Sequence, residues 1–293
     1  IFKKEVAGTF EQAQAAQEAL QEAVITDELR AIYTMGGITL DDSQIAALEG
    51  MLDNRFAALI GYAGSGKTTV IRFLVERLKT VYKPIEIEHK DFNETTNVVE
   101  NAKRTTLPIA FAAFTGRASE VISSKLPKEL QPNVSTIHRL LGYHPSDVDI
   151  PDPSSKSGYK SVIRFIPAYD ATNKLPYKCL ILDEAGMITG ELWNNILAAI
   201  TPDCRVYLVG DISQLPPVMG VSPLPFAMRH LPTYELATIH RQADGSPIIA
   251  NATMLRQGKI PNKEERNSFG KDFIYYPVEA YVHGKFNGEV FKM

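Results

Sequence analysis

Apolar residues gather in short, nearly continuous runs: Phe56 to Ile60, Leu107 to Phe114, Cys179 to Leu182, and the segment Arg205 to Val209. Strands buried on both faces read this way, whereas a half-exposed strand alternates apolar with polar. Helical patterns lie between the runs. Thr69 to Leu78 sets Val70, Phe73, Leu74 and Arg77 at helical spacing. Thr115-Gly116-Arg117-Ala118 carries the second run into a helix, Ser135 to Leu141 reads as another short one, and Gly190 to Ile200 crosses over between the last two runs. Strands that alternate with helices in this order predict an α/β fold around a parallel sheet.

The remaining stretches are less regular. Thr9 with Gln12 forms a capping-box pattern, and Phe10 to Tyr33 predicts one or two helices outside the core. Gly36-Gly37 interrupts this pattern before Ile38 to Gln44 opens a second helix running to about Leu52. Ile85 to Ile87 predicts a short strand, and Glu88 to Thr106, which has no clean period, an insertion or mobile loop. From Gly142 to Pro176 the composition turns rich in proline, and Tyr159 to Phe165 reads as one arm of a hairpin. The period-two rule puts Ile163 and Phe165 on one face of that arm, with Val162 and Ile166 on the other. Tyr234 to Leu236 predicts one more strand, Ser246 to Gln257 a helix, and Asp272 to Tyr276 the start of a further strand.

The first apolar run leads into Gly61-Tyr62-Ala63-Gly64-Ser65-Gly66-Lys67-Thr68, which fits the phosphate-binding pattern G-x-x-x-x-G-K-[ST]. Gly61, Gly64 and Gly66 let backbone N–H groups converge on phosphate oxygens. Lys67 adds a point charge at the β- and γ-phosphates, and the Thr68 hydroxyl can ligate Mg²⁺. The third run delivers Asp183 and Glu184 at its carboxyl end, where open parallel sheets bind their ligands. There the aspartate can hold Mg²⁺ through its water shell, and the glutamate can orient or deprotonate an attacking water. The last run ends in Gly210-Asp211 with Gln214 close behind, an amide able to sense a γ-phosphate or simply part of a stiff loop before Pro216-Pro217. Gln44 reads as a solvated helix face or a nucleotide contact, His138 as a core histidine or a ligand-facing one, and Trp193 as packing or a stacking surface.

Composition narrows the picture modestly. With 293 residues, 44% hydrophobic and 22% charged, the chain has ordinary globular composition. Its net charge of −3 argues neither for nor against nucleic acid, since a basic groove can sit on a neutral protein. No apolar run approaches the length of a membrane span. The two cysteines, Cys179 and Cys204, edge apolar strands and are expected to be reduced core residues of a cytoplasmic protein. The chain opens on Ile1 without an initiator Met, which suggests that earlier residues were not included.

Taken together, the P-loop, Phe114-Thr115-Gly116-Arg117-Ala118, Ser135 to Leu141, Asp183-Glu184-Ala185-Gly186-Met187, Gly210-Asp211-x-x-Gln214-Leu215-Pro216-Pro217 and His240-Arg241 resemble the ordered motifs of RecD/Dda-like helicases of superfamily one. The resemblance implies a RecA-like P-loop motor domain and an ATP-dependent DNA helicase, running 5′ to 3′, with ATP and Mg²⁺ as cofactors. Gln44, reading adenine, would bind ATP together with Gly61, Gly64, Ser65, Gly66, Lys67, Thr68 and Thr69. Thr68 and Asp183 would hold the metal, Glu184 the water, and Gln214 and Arg241 would reach the γ-phosphate. Phe114, Thr115, Gly116, Arg117, Thr136 and His138 would line the path of single-stranded DNA. Implied partners are single-stranded and forked DNA, and a replisome or single-strand-binding protein; if phage-encoded, the protein would work in the host cytoplasm.

The expected organisation is an N-terminal helical extension over 1–37 and a first motor domain from 38–142 and 177–242. An inserted hairpin pin occupies 143–176, and 243–293 begins a second motor domain whose later motifs do not follow. The rival expectation is a catalytically incomplete nucleotide-binding module that docks on a replication or recombination complex.

Overall fold

The computed structural model describes residues 32–62, 64–93, 98–151, 159–211, 213–214, 216–218 and 220–236. The expected helices over 10–33, the helix 246–257, the strand 272–276, the start of a second domain and Arg241 therefore lie outside the described residues, apart from residues 32 and 33.

In chain order the described elements begin with the short antiparallel pair β1 (Thr34–Met35) and β2 (Ile38–Thr39), then α1 (Asp42–Asp53), β3 (Phe56–Gly61) and α2 (Lys67–Val81). Next come β4 (Ile85–Asn93), β5 (Val98–Thr106), β6 (Ile109–Ala113), α3 (Gly116–Lys125), β7 (Val134–Thr136) and the single turn α4 (Ile137–Leu140). The hairpin β8 (His144–Pro151) and β9 (Tyr159–Ile166) precedes β10 (Cys179–Asp183), α5 (Gly190–Ala199), β11 (Arg205–Gly210), α6 (Leu224–His230) and β12 (Thr233–Leu236). Six strands form one sheet in the order β12-β3-β11-β10-β6-β7. Every neighbouring pair in it is parallel. The α/β expectation stands.

The apolar runs are continuous because both faces of the sheet are covered. Ala57, Leu59, Phe111, Ile181, Tyr207 and Val209 pack on one face under Ile45, Leu48, Val70 and Leu74 of α1 and α2. Their immediate neighbours Ala58, Ile60, Ala112, Leu182 and Leu208 pack on the other, under Leu192, Trp193 and Ile196 of α5. Trp193 is only 8% exposed, which makes it packing and not an open stacking surface. Both cysteines are free and buried, and burial pushes each thiol up, that of Cys204 to about 12.

Three local expectations need correction. Residues 88–93 and 98–106 are strand and not loop: β4 and β5 pair antiparallel from Ile85↔Thr106 to Asn93↔Val98. The period was hidden because both strands are largely polar in sequence. Ile87 and Thr106 are buried at the base, Arg104 donates to Asn133 Oδ1 at 2.9 Å, and Lys103 pairs with Glu86 across the two strands at 3.2 Å. The helix expected from Ile38 starts later, because Ile38–Thr39 turns back onto Thr34–Met35 and Asp41 caps α1. Of Ser135 to Leu141, only Ile137–Leu140 is helical, and Ser135 and Thr136 belong to β7. The hairpin at 159–165 is present, with β9 paired to β8 from His144↔Ile166 to Pro151↔Tyr159. Its faces divide as expected: Ile163 and Phe165 stand 71% and 70% exposed, and Val162 and Ile166 are half-buried.

Candidate nucleotide and strand site

All six parallel strands point their carboxyl ends to one edge of the sheet, and the chemistry collects there. β3 delivers Gly61, and the loop after it turns through Gly64 and Gly66, both with φ of 87°. That is left-handed backbone which a residue with a Cβ adopts only at a cost. Gly66 is the N-cap of α2, which leaves the backbone N–H groups of the first turn unmatched by any side chain. The Lys67 ammonium donates to the carbonyl oxygens of Gly61 and Tyr62 at 2.6 and 2.9 Å, so the cation lies over the mouth of its own loop. Ser65 Oγ is buried and has no hydrogen-bond partner among the described residues. An orphaned hydroxyl, a lysine folded onto loop carbonyls and a helix start without a cap are what a phosphate chain would satisfy.

Gln44 is 4% exposed on α1, not on a solvated face. Its Oε1 accepts from the Asp41 N–H at 3.1 Å and Asp41 Oδ1 accepts from the Gln44 N–H at 2.9 Å, closing a capping box. Its Nε2 lies 3.5 Å from the Ser65 carbonyl oxygen, against the P-loop backbone. Thr69 belongs to the first turn of α2, its N–H donating to the Gly66 carbonyl at 2.8 Å.

β10 ends in Asp183, which lines one cavity together with Thr68, Phe111, Ile181 and Val209. Burial pushes its carboxyl above the usual aspartate range, against the opposing pull of the Glu184 N–H and the Lys67 ammonium. The Glu184 N–H donates to Asp183 Oδ1 at 2.8 Å. Glu184 itself has φ of 52° and ψ of 38°, the one left-handed residue other than glycine among the described residues. Held there, it turns its carboxylate toward β6, where the Thr115 hydroxyl donates to Oε2 at 3.0 Å. Thr115 is also the N-cap of α3, its hydroxyl oxygen accepting from the Ala118 N–H at 3.2 Å.

Gly116 and Arg117 follow, exposed at the start of α3. Beyond them the Phe114 and His138 rings meet edge-on at 6.2 Å, and His138 meets Tyr143 at 5.1 Å. Thr136 caps the turn that carries His138. Tyr143 and Asn195, bonded at 2.8 Å, were not singled out from sequence. An aromatic directly after Gly142, the left-handed glycine closing the His138 turn, was the available signal. At the end of β11, Asp211 accepts from the Ser213 N–H and hydroxyl at 2.9 and 2.5 Å, and Gln214 stands exposed in the turn that results. The structure thus joins Lys67, Thr68, Asp183, Glu184, Thr115 and Gln44 around one loop, sets Phe114 and His138 in a neighbouring aromatic group, and leaves Gln214 in an exposed turn.

A glycine-rich loop between a buried parallel strand and a helix, with a carboxylate pair ending a nearby strand, defines a P-loop nucleotide-binding domain. The chain belongs to the AAA domain family, whose model matches residues 39–270. Within that family it is similar to the ATP-dependent RecD2 DNA helicase of Deinococcus radiodurans, 30% identical over 222 residues that cover 76% of this chain and 24% of that protein. It is also similar to the ATP-dependent DNA helicase dda of Enterobacteria phage T4, 26% identical over 205 residues covering 68% of this chain and 37% of the helicase. The RecD/Dda likeness read from the motifs therefore stands, and the chain spans well under half the length of these relatives. Among solved structures it matches the Pif1 helicase of Candida albicans with a TM-score of 0.49, 19% identity, and coverage of 78% of this chain and 47% of that one.

Proposed function

We propose that this chain carries the first motor domain of an ATP-dependent DNA helicase that moves 5′ to 3′ on single-stranded DNA and opens the duplex ahead of it. The observation that carries the reading is the sheet edge where Thr115, Glu184 and Asp183 are joined by hydrogen bonds, near a P-loop whose Lys67 closes over its own carbonyls and whose Ser65 hydroxyl has no partner among the described residues.

The N–H groups from Gly64 to Thr69 cradle the phosphates, and Lys67 leaves the Gly61 and Tyr62 carbonyls to pair with the β- and γ-oxygens. Thr68 and Asp183 would hold Mg²⁺; two protein oxygens suit an ion that takes most of its ligands from phosphate and water. When bound, it supplies neutralising charge at the β- and γ-oxygens. Glu184 orients a water in line with the γ-phosphorus and accepts its proton as the new P–O bond forms and the bond to the bridging oxygen breaks, releasing ADP. Gln44 meets the adenine, Gln214 senses the γ-phosphate, and Arg241 completes the charge around it.

Phe114, Thr115, Gly116, Arg117, Thr136 and His138 line the strand, with backbone phosphates at the start of α3 and bases against the His138 rings. The hairpin over 143–176 is the pin that parts the duplex, with Ile163 and Phe165 forming its apolar face. The test is ATP turnover by the full-length protein with and without single-stranded DNA, alongside a forked-duplex unwinding assay. Strong stimulation with unwinding is expected. ATP turnover that ignores DNA would reject the helicase reading.

A further inference from the structure

The hairpin of β8 and β9 sorts its charge by face. Its register sets Pro145 opposite Phe165, Asp147 opposite Ile163 and Asp149 opposite Ser161, so these side chains share one face, and all of them are exposed. The other face carries Ser146 opposite Arg164, Val148 opposite Val162 and Ile150 opposite Lys160, with both cations exposed. Among the described residues of the hairpin, both carboxylates therefore stand with Ile163 and Phe165, both cations stand behind them, and no register pair joins opposite charges. A hairpin selected for stability alone would set these charges against one another, since opposite charges across two strands stabilise the pair. The chain does so elsewhere, where Lys103 of β5 meets Glu86 of β4 at 3.2 Å. In β8 and β9 that gain is forgone, and the two carboxylates are instead placed side by side on one face, where they repel. Lys160 and Arg164, four residues apart on β9, are separated by about 13 Å at roughly 3.3 Å per residue. A stacked single strand advances about 3.4 Å per nucleotide, so the two cations reach phosphates about four nucleotides apart.

We propose that the face of Lys160 and Arg164 is a phosphate track for the strand displaced from the duplex, and that Asp147 and Asp149 keep that strand off the apolar face. Uncharged bases can meet Ile163 and Phe165 beside the carboxylates, whereas phosphates are repelled there and drawn to the opposite side. The strand along which the protein moves has its own path over Phe114 to Arg117, so the strand left for this face is the displaced one. The hairpin thus sets the side on which that strand leaves the junction. The inference rests on the reading of residues 143–176 as the pin.

The test uses the full-length protein and two substrates, a fork with both single-stranded arms and a tailed duplex that lacks the displaced arm. Each phosphate contact on a single strand contributes about 0.7 to the slope of log affinity against log salt, so Lys160→Gln with Arg164→Gln should flatten that slope by about 1.4 on the fork. Between about 50 and 200 mM salt the wild type should then lose about sevenfold more fork affinity than the variant, while the two proteins behave alike on the tailed duplex. Direct placement comes from a photo-crosslinker. Set at Ser146, across from Arg164, it should capture the displaced arm; set at Ser161, across from Asp149, it should not. Asp147→Lys with Asp149→Lys should move the capture to Ser161. An equal change of slope on both substrates, no capture from Ser146, or capture from Ser161 with both aspartates in place would overturn the track. Full unwinding by Ile163→Ser with Phe165→Ser would instead remove the pin reading, and the track with it.

Discussion

Glu184→Gln separates holding nucleotide from hydrolysing it, and the structure sets the expected sizes. Glutamine has the same length and meets the same left-handed φ of 52°, so the backbone cost of about 1–2 kcal/mol is common to both residues and cancels. The amide oxygen can still accept from the Thr115 hydroxyl, although a neutral acceptor is worth about half a charged one, so stability should fall by about 1 kcal/mol at most. The group lost is the proton acceptor. General-base catalysis contributes about 10²–10⁴ in rate, or about 3–5 kcal/mol of barrier. Equilibrium titration with a fluorescent ATP analogue should therefore find affinity nearly unchanged, while single-turnover hydrolysis with excess full-length enzyme slows at least a hundredfold. Lys67→Ala is the contrasting variant. It removes the charge that lies over Gly61 and Tyr62 and should lose affinity first. Wild-type turnover by Glu184→Gln would remove Glu184 from the mechanism, and a parallel loss of affinity would make it structural.

Arg117→Ala and His138→Ala should each weaken single-strand binding, measured by anisotropy, and Arg117→Ala should also flatten its salt dependence; the path is wrong if neither does. Ile163→Ser with Phe165→Ser alters only the exposed face of the hairpin, so DNA-stimulated ATP turnover should persist while unwinding falls sharply, and equal loss of both would indicate a folding role. Burial raises the Glu49 carboxyl above its ordinary value of 4.5 despite Arg77, and its Oε1 has no partner among the described residues. The folded state then holds the proton more tightly, so stability falls as pH rises from the ordinary value through the raised one. Glu49→Gln should accordingly be more stable than wild type at pH 7 by upwards of about 0.5 kcal/mol in urea melts, with the difference closing below pH 4.5; no gain at pH 7 would refute this. A Cβ at Gly50 would fall within the buried Tyr234 phenol, so Gly50→Ala should cost about 1–3 kcal/mol of net stability, recovered in part by Tyr234→Leu.

The sheet and the P-loop were legible because one physical rule wrote each of them. Strands covered on both faces must be apolar throughout, and the loop's geometry needs glycine where φ reaches 87°. Asp183 and Glu184 were legible for the same reason, standing directly after a buried run. Backbone strain at Glu184 was not, because nothing in a glutamate's neighbours signals a left-handed residue. Its bond to Thr115 was equally hidden: Cys179–Asp183 and Ile109–Ala113 are adjacent through sheet order, which the alternation of strands and helices leaves open. The β4–β5 hairpin escaped because its two strands are largely polar in sequence, which leaves no period to read. Gln44 looked like a surface residue because its burial depends on α1 lying against the P-loop and not on its own helix.

Three unfavourable features of the domain stand at the carboxyl edge of the sheet, and that placement argues for function more strongly than any one of them does. Ser65 carries a buried hydroxyl without a partner among the described residues, Asp183 a carboxyl whose charge burial resists, and Glu184 a backbone that an L-residue avoids. Each costs on the order of 1 kcal/mol or more, so a sequence selected for folding alone would shed them. What keeps them in place is the rigidity of the strands beneath. Leu59 and Ile60 lead to the loop and Ile181 and Leu182 to the carboxylates, locked on opposite faces of the sheet by α1 and α2 on one side and α5 on the other. A phosphate chain would satisfy Ser65 and the start of α2, and the Mg²⁺ proposed to accompany it would favour the charged form of Asp183. Ligand binding should then stabilise this domain by more than the contacts it adds, because it also relieves costs already present in the empty fold.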